Sequence, residues 1–356
     1  EEYFNYTYRY AFKDQINPGS PNVIAGVNVY SSSFDEGEGW TSRGITSSNT
    51  LKLTISNLQV SSNGPDASLR LNFFGGSLNT RQVSVQIAGN SVINSFPLAG
   101  FSSKDTSVQI AKTKLAGSFI MDIVNASSSA YDQYMVGQLE INYPRKFDFG
   151  GTANFEFSLE PISSDKLIEI TSFKFGSNPS ILYDLTNQQR FVAEIKGNNL
   201  RFLVPANSQK RNFVLLSVAS DEINTVGTIV EHKFIDFSNL SNQGDYIIIT
   251  DSMLRKSKAG DAIENYKQYR SSPAGGIFKV LVADVSQITD QFAYGIKKHP
   301  LGLKKFIQYA TVFFKPKNIL LIGKGVTYDQ ARINESSVYA NKLNLVPTFG
   351  SPASDH

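Results

Sequence analysis

Cysteine, the side chain best suited to covalent attack at neutral pH, does not occur in this 356-residue chain, and histidine occurs three times. Disulfides, thiolate metal sites and a thiol nucleophile are excluded together. The three histidines stand apart: His232 between Glu231 and Lys233 reads as a polar residue near a strand, His299 precedes Pro300 in a surface loop, and His356 is the last residue. No HExxH or related metal spacing links them. Asp35-Glu36 and Asp221-Glu222 are adjacent carboxylates in turn-like contexts, which read as solvated loops rather than as an acid and its base. Gly323-Lys324-Gly325 offers backbone N–H groups and a lysine to an anion, but it has neither the GxGxxG nor the GxxxxGK[ST] spacing and reads as a strand-to-loop turn. No residue is therefore assigned a catalytic, cofactor-binding or metal-binding role, and no cofactor is expected.

Over residues 1–145 the sequence is built of short alternating segments separated by Gly, Asn, Ser and Pro. Leu51 to Ile55, Leu69 to Phe73, Val83 to Ile87 and Leu139 to Tyr143 each put apolar residues on one face only, as half-buried strands require. Phe119 to Val124 reads as a more deeply buried strand. This spacing of turns predicts an antiparallel β-sandwich or jelly roll. Residues 146–240 continue in the same mode, with strands at Asn154 to Leu159, Leu167 to Phe175, Phe191 to Ile195, Leu200 to Val204 and Asn212 to Val218. A hairpin turn falls at Lys196-Gly197-Asn198-Asn199. This stretch is either a second sandwich or the completion of the first.

After Asn242-Gln243-Gly244 the pattern changes. Asp245 to Thr250 is a continuous apolar run, the mark of a strand covered on both faces. Leu254, Ala262, Ile263, Tyr266 and Tyr269 then share a helical stripe, and Gly276 to Ala283 gives a second strand. Pro300 opens a second helix with Leu303, Phe306, Ile307, Ala310 and Phe313 at three- and four-residue spacing, and Asn318 to Gly323 is a third strand. Three parallel strands with two intervening helices are expected. The overall reading is a multidomain β plus α/β chain: a sandwich over 1–145, the undecided β block over 146–240, and an α/β subdomain over 241–356.

Charge changes sign with the pattern. Residues 241–356 hold 15 Lys and Arg against 9 Asp and Glu, whereas the remainder holds 19 against 22. The basic residues are scattered pairs without interleaved exposed aromatics, so they read as a solvated helix surface and no nucleic-acid partner is expected. No apolar run approaches the ~18 residues of a membrane-spanning helix. The chain opens on Glu1-Glu2-Tyr3-Phe4 rather than a signal peptide, which is taken as absent or removed. Richness in Ser, Asn, Thr, Tyr and Phe leans towards an exported location.

In order and spacing, Asp245 to Thr250, Ala262 to Arg270, Phe278 to Val282, Phe292-Ala293-Tyr294-Gly295, Ile319 to Gly323, Val346-Pro347-Thr348-Phe349 and Ser354-Asp355 resemble the start of a gingipain-family cysteine peptidase domain. The preceding β region, including Glu38-Gly39-Trp40, is similar in character to the amino-terminal region of PorU-type members, the sortase-like relatives of the type IX secretion system. The resemblance implies the first half of a caspase-like α/β sheet. It also implies a Cys nucleophile with a His base that cuts secretion signals from protein cargo at the outer surface of the outer membrane. In the family both catalytic residues lie beyond the Ser-Asp element, so neither is carried onto this sequence, and His356 does not match the catalytic His. The chain is expected to be a non-catalytic amino-terminal portion that ends within the sheet, with cargo and other secretion components as partners, only indirect contact with the membrane, and no enzymatic activity of its own.

An alternative takes the β region as an adhesin or carbohydrate-binding sandwich with the single tryptophan, Trp40, and the many tyrosines as its platform. A third reading makes 241–356 a flavodoxin-like nucleotide domain.

Overall fold

The structure, a computed structural model, describes residues 2–17, 21–24, 27–30, 39–129, 132–256, 258, 260–326, 331 and 337–347. The chain divides into two compact units, residues 1–15 with 40–228 and residues 16–39 with 229–356.

The first unit contains two β-sandwiches, each made of two four-stranded sheets. In the amino-terminal sandwich one sheet runs Phe4–Ala11, Tyr134–Arg145, Ala67–Gly75, Ser103–Ile110, and the other Leu51–Ile55, Phe119–Asn125, Arg81–Ile87, Asn90–Leu98. Alternation sets the core: Leu69, Leu71 and Phe73 meet Val83, Val85, Met121, Ile123, Leu139 and Ile141, all shut off from solvent. Burial of each such side chain contributes roughly 1.5–3 kcal/mol.

The second sandwich pairs the sheet Asp148–Thr152, Lys166–Phe173, Asn199–Val204, Glu194–Lys196 with the sheet Asn154–Leu159, Arg211–Leu216, Ile181–Asp184, Gln189–Val192. Its core is aromatic, with Phe149, Phe157, Phe202 and Phe213 around Ile168, Ile170 and Leu182. Two details depart from expectation. Asp148–Thr152 pairs parallel with its neighbour, while the other ladders of this sandwich are antiparallel. The segment read as one strand from Phe191 to Ile195 is two, because the chain changes sheet at buried Ala193, whose N–H donates to Ser180 O at 3.0 Å. The hairpin then turns at Gly197, whose φ of 60° suits the first central position of a type II′ turn, with Lys196 opposite Asn199.

Phe4 joins the two sandwiches. It begins the first strand of one and buries its ring in the other, 5.0 Å from Phe147 and 5.3 Å from Phe157. Beside it Tyr6 stacks on Phe155, and the Arg145 guanidinium lies 5.0 Å over each of those rings. Among the described residues before 238, the helical segments are short 3₁₀ turns at Lys112–Leu115 and Ser220–Glu222.

In the second unit Tyr246–Thr250 lies between Val280–Asp284 and Asn318–Ile322, and both pairings are parallel. Every residue of the central strand is buried, which is why it reads as a continuous apolar run. Ile247 and Ile249 face Val285, Ile288, Leu303, Phe306 and Ala310 on one side; Ile248 meets Ile263, Tyr266 and Phe278 on the other. Phe237, well before the first strand, packs into the larger of these clusters at 5.0 Å from Phe306.

Three helices, rather than the expected two, separate the strands: Ala262–Ser271, Val285–Phe292 and Pro300–Phe313. The middle one has only eight residues, and of these Val285, Ile288 and Thr289 are buried, too few turns for its period to stand out. Leu254, assigned by its stripe to the first helix, sits instead in a separate 3₁₀ turn, Ser252–Arg255. The second strand begins at Val280, not Gly276, because Pro273–Gly275 forms a 3₁₀ turn that closes on Gly276 at φ 105°.

Candidate functional site

In a parallel α/β sheet the chemistry gathers at the carboxyl ends of the strands, where helix N-termini and loops converge. In this chain those ends are Thr250-Asp251, Asp284 and Gly323-Lys324. Thr250 is buried, and its hydroxyl donates to Ile322 O at 2.9 Å, tying the central strand to the third. Asp251 accepts from Met253 N–H at 2.9 Å and so caps the next 3₁₀ turn. Its other oxygen lies 3.8 Å from Lys298 Nζ, which donates to Asn341 O at 2.6 Å. Asp284 caps the helix that follows it, accepting from Ser286 N–H at 2.8 Å and from the Ser286 hydroxyl at 2.5 Å; its second oxygen is buried without a donor. Both aspartates thus start helical segments by satisfying amide N–H groups that have no partner within the helix.

The Gly323-Lys324 turn serves packing. The Lys324 carbonyl accepts from Leu345 and Val346 N–H at 2.8 and 2.9 Å, and a side chain at position 323 would strike Val346.

Among the described residues, His232 and His299 serve separate local contacts. His299 caps the helix Pro300–Phe313, its Nδ1 accepting from Leu301 N–H at 3.2 Å, with Pro300 in the first turn where its missing N–H costs nothing. His232 lies in an irregular segment, not a strand, with Nε2 2.9 Å from Asp290 Oδ2 and its ring edge-on to Phe234. His356 falls outside the described residues, as do Asp35-Glu36 and Ser354-Asp355. Asp221 and Glu222 both pair with Lys174 at the surface, and that lysine holds the Asp221 carboxyl below its ordinary range. Trp40 lies half-buried on the short strand Gly39–Thr41. Among the described residues no group of three or more His, Asp or Glu side chains converges as a metal site.

The arrangement binds the strand ends to the helices that follow them. The His232–Asp290 contact, made across 58 positions of sequence, was not legible from either residue's neighbours.

The family model described as Peptidase family C25 matches residues 239–356. A search of curated proteins returned no match. Among solved structures, the CBM36-1 domain of a multidomain xylanase from the hindgut metagenome of Trinervitermes trinervoides is 14% identical, spanning 38% of this chain and 96% of that one with a TM-score of 0.24. A carbohydrate-binding module CBM36 solved with calcium and xylotriose is 13% identical over 38% of this chain and 98% of its own, again with a TM-score of 0.24. A family 35 module from Clostridium thermocellum is 9% identical over 38% and 97%, with a TM-score of 0.22. The C25 match covers the parallel sheet and its helices, and it supports a gingipain-like peptidase over residues 239–356.

Proposed function

We propose that this chain is the non-catalytic amino-terminal region of a secreted, PorU-like cysteine peptidase that removes secretion signals from type IX cargo at the outer surface of the outer membrane. One observation carries the reading: residues 239–356 match Peptidase family C25, yet the chain contains no cysteine to attack a peptide carbonyl. What remains for these residues is to build the first three strands of the peptidase sheet and to present the two sandwiches to cargo or to other secretion components. The buried central strand and its three helices form the scaffold; the aspartate caps at the strand ends fix where the following helical segments begin.

The test is genetic. In a host with type IX secretion, the codons for residues 40–228 of this chain, which encode most of the two-sandwich unit, are deleted from the gene, and surface cargo is examined by mass spectrometry. Retention of uncleaved secretion signals is expected. Complete signal removal with normal cargo release would overturn the assignment of the sandwiches to cargo processing.

A further inference from the structure

Where the two sandwiches meet, the edge strand of one sheet from each, with the strand next to it, lines an open groove of about 390 Å³, within the range of small-ligand sites. Thr7 and Asn142 stand directly opposite each other on one wall, and Ser158 and Asn212 directly opposite on the other. Each pair is already hydrogen-bonded. Asn142 Nδ2 donates to the Thr7 hydroxyl at 2.9 Å, and the Ser158 hydroxyl donates to Asn212 Oδ1 at 2.8 Å.

These internal bonds decide what is left for a ligand. The first pair keeps the Asn142 carbonyl oxygen as an acceptor and the Thr7 hydroxyl proton as a donor; the second keeps the Asn212 amide protons as donors and the Ser158 oxygen as an acceptor. Donors and acceptors therefore face the groove from both walls. A ligand that satisfies them must both give and take hydrogen bonds along its length, which a chain of hydroxyls does and a phosphate, an acceptor only, does not.

Charge narrows the class further. The cations on the lining are occupied, Arg9 by Glu140 and Lys210 by Glu160, each at 2.8 Å. Glu156 carries an exposed carboxylate on the same wall as Ser158, with no ion-pair partner among the described residues. A free carboxylate beside paired cations repels an anionic ligand and accepts from two neighbouring hydroxyls. We propose that this groove binds a neutral oligosaccharide, held by Asn142, Asn212, Thr7, Ser158 and Glu156. The site is separate from Trp40 and does not depend on the peptidase reading.

The test is a neutral, anionic and cationic glycan array probed with the intact purified chain, with hits quantified by titration calorimetry. Selective retention of neutral oligosaccharides is expected. The Asn142→Ala/Asn212→Ala double variant should bind at least tenfold more weakly with an unchanged circular dichroism spectrum, and Trp40→Ala should bind as the parent chain does. If the double variant loses its fold, Glu156→Gln, at an exposed position, provides the reading and should weaken binding severalfold. Retention of no neutral glycan, preference for anionic or cationic ones, or unchanged affinity in the folded groove variants would overturn the proposal.

Discussion

Arg81 Nε lies 2.9 Å from Asp132 Oδ1, and both side chains are wholly enclosed at one end of the first sandwich. The same guanidinium donates to Gly100 O at 2.6 Å, to Ser77 O at 2.8 Å and to Asn79 O. One cation thus holds the loop after Ala67–Gly75, the loop after Asn90–Leu98 and the approach to Tyr134–Arg145. Burial pulls the Arg81 pKa below its ordinary value, and the facing carboxylate of Asp132 opposes that pull.

Removing one member of such a pair leaves a buried charge without its partner, at a cost of about 3–5 kcal/mol. Arg81→Met and Asp132→Leu should each destabilise the first sandwich by that order, and the double variant should recover a large part of the loss. Urea titrations of the three variants give the cycle. Additive single effects would show that the pair is not coupled.

Alkaline pH should loosen the same sandwich. Burial pushes the Tyr143 hydroxyl up to about 12, its donation to Leu58 O at 2.7 Å leaving no room for the phenolate, and enclosed Tyr134 is pushed up as well. Because these groups keep their protons longer when folded, their contribution is full below the ordinary tyrosine value near 10 and is lost as pH rises towards 12. Thermal midpoints measured from pH 8 to 11.5 should fall above pH 10, with the phenolate absorbance of these two buried tyrosines appearing only on unfolding. Free ionisation of all 16 tyrosines near pH 10 in the folded chain would contradict this.

In the α/β unit, Phe306 is fully buried while Phe313, two turns further along the same helix, is 60% exposed. Phe306→Ala should cost about 3–5 kcal/mol and Phe313→Ala within about 0.5 kcal/mol. Chemical denaturation monitored in this unit separates the two. Equal losses would mean that the last turn of this stripe is covered as deeply as Phe306 is.

The parts of the fold legible in the sequence are those in which local pattern and tertiary burial agree. Leu69 to Phe73 and Val83 to Ile87 alternate because one face of each strand is core, and Tyr246–Thr250 does not alternate because neither face is wet. What escaped depends on distant partners. Nothing beside Arg81 in sequence announces that Asp132 and three loop carbonyls enclose it. The change of sheet at Ala193 carries no turn residue, and Val285–Phe292 spans too few turns for its period to show. In the groove, Thr7 and Asn142 lie 135 positions apart, so no local spacing announces their contact.

The proposal that this chain contributes to a gingipain-like peptidase without supplying a thiol nucleophile rests on the C25 match over residues 239–356 and the absence of cysteine. The most direct measurement is hydrolysis of arginyl, lysyl and secretion-signal peptides by the purified chain, followed by mass spectrometry alongside a thiol-directed covalent probe. No cleavage above buffer and no labelling are predicted. Turnover that co-purifies with the chain and is lost on Asp290→Ala or His232→Ala would contradict the account and place a catalytic centre in these residues.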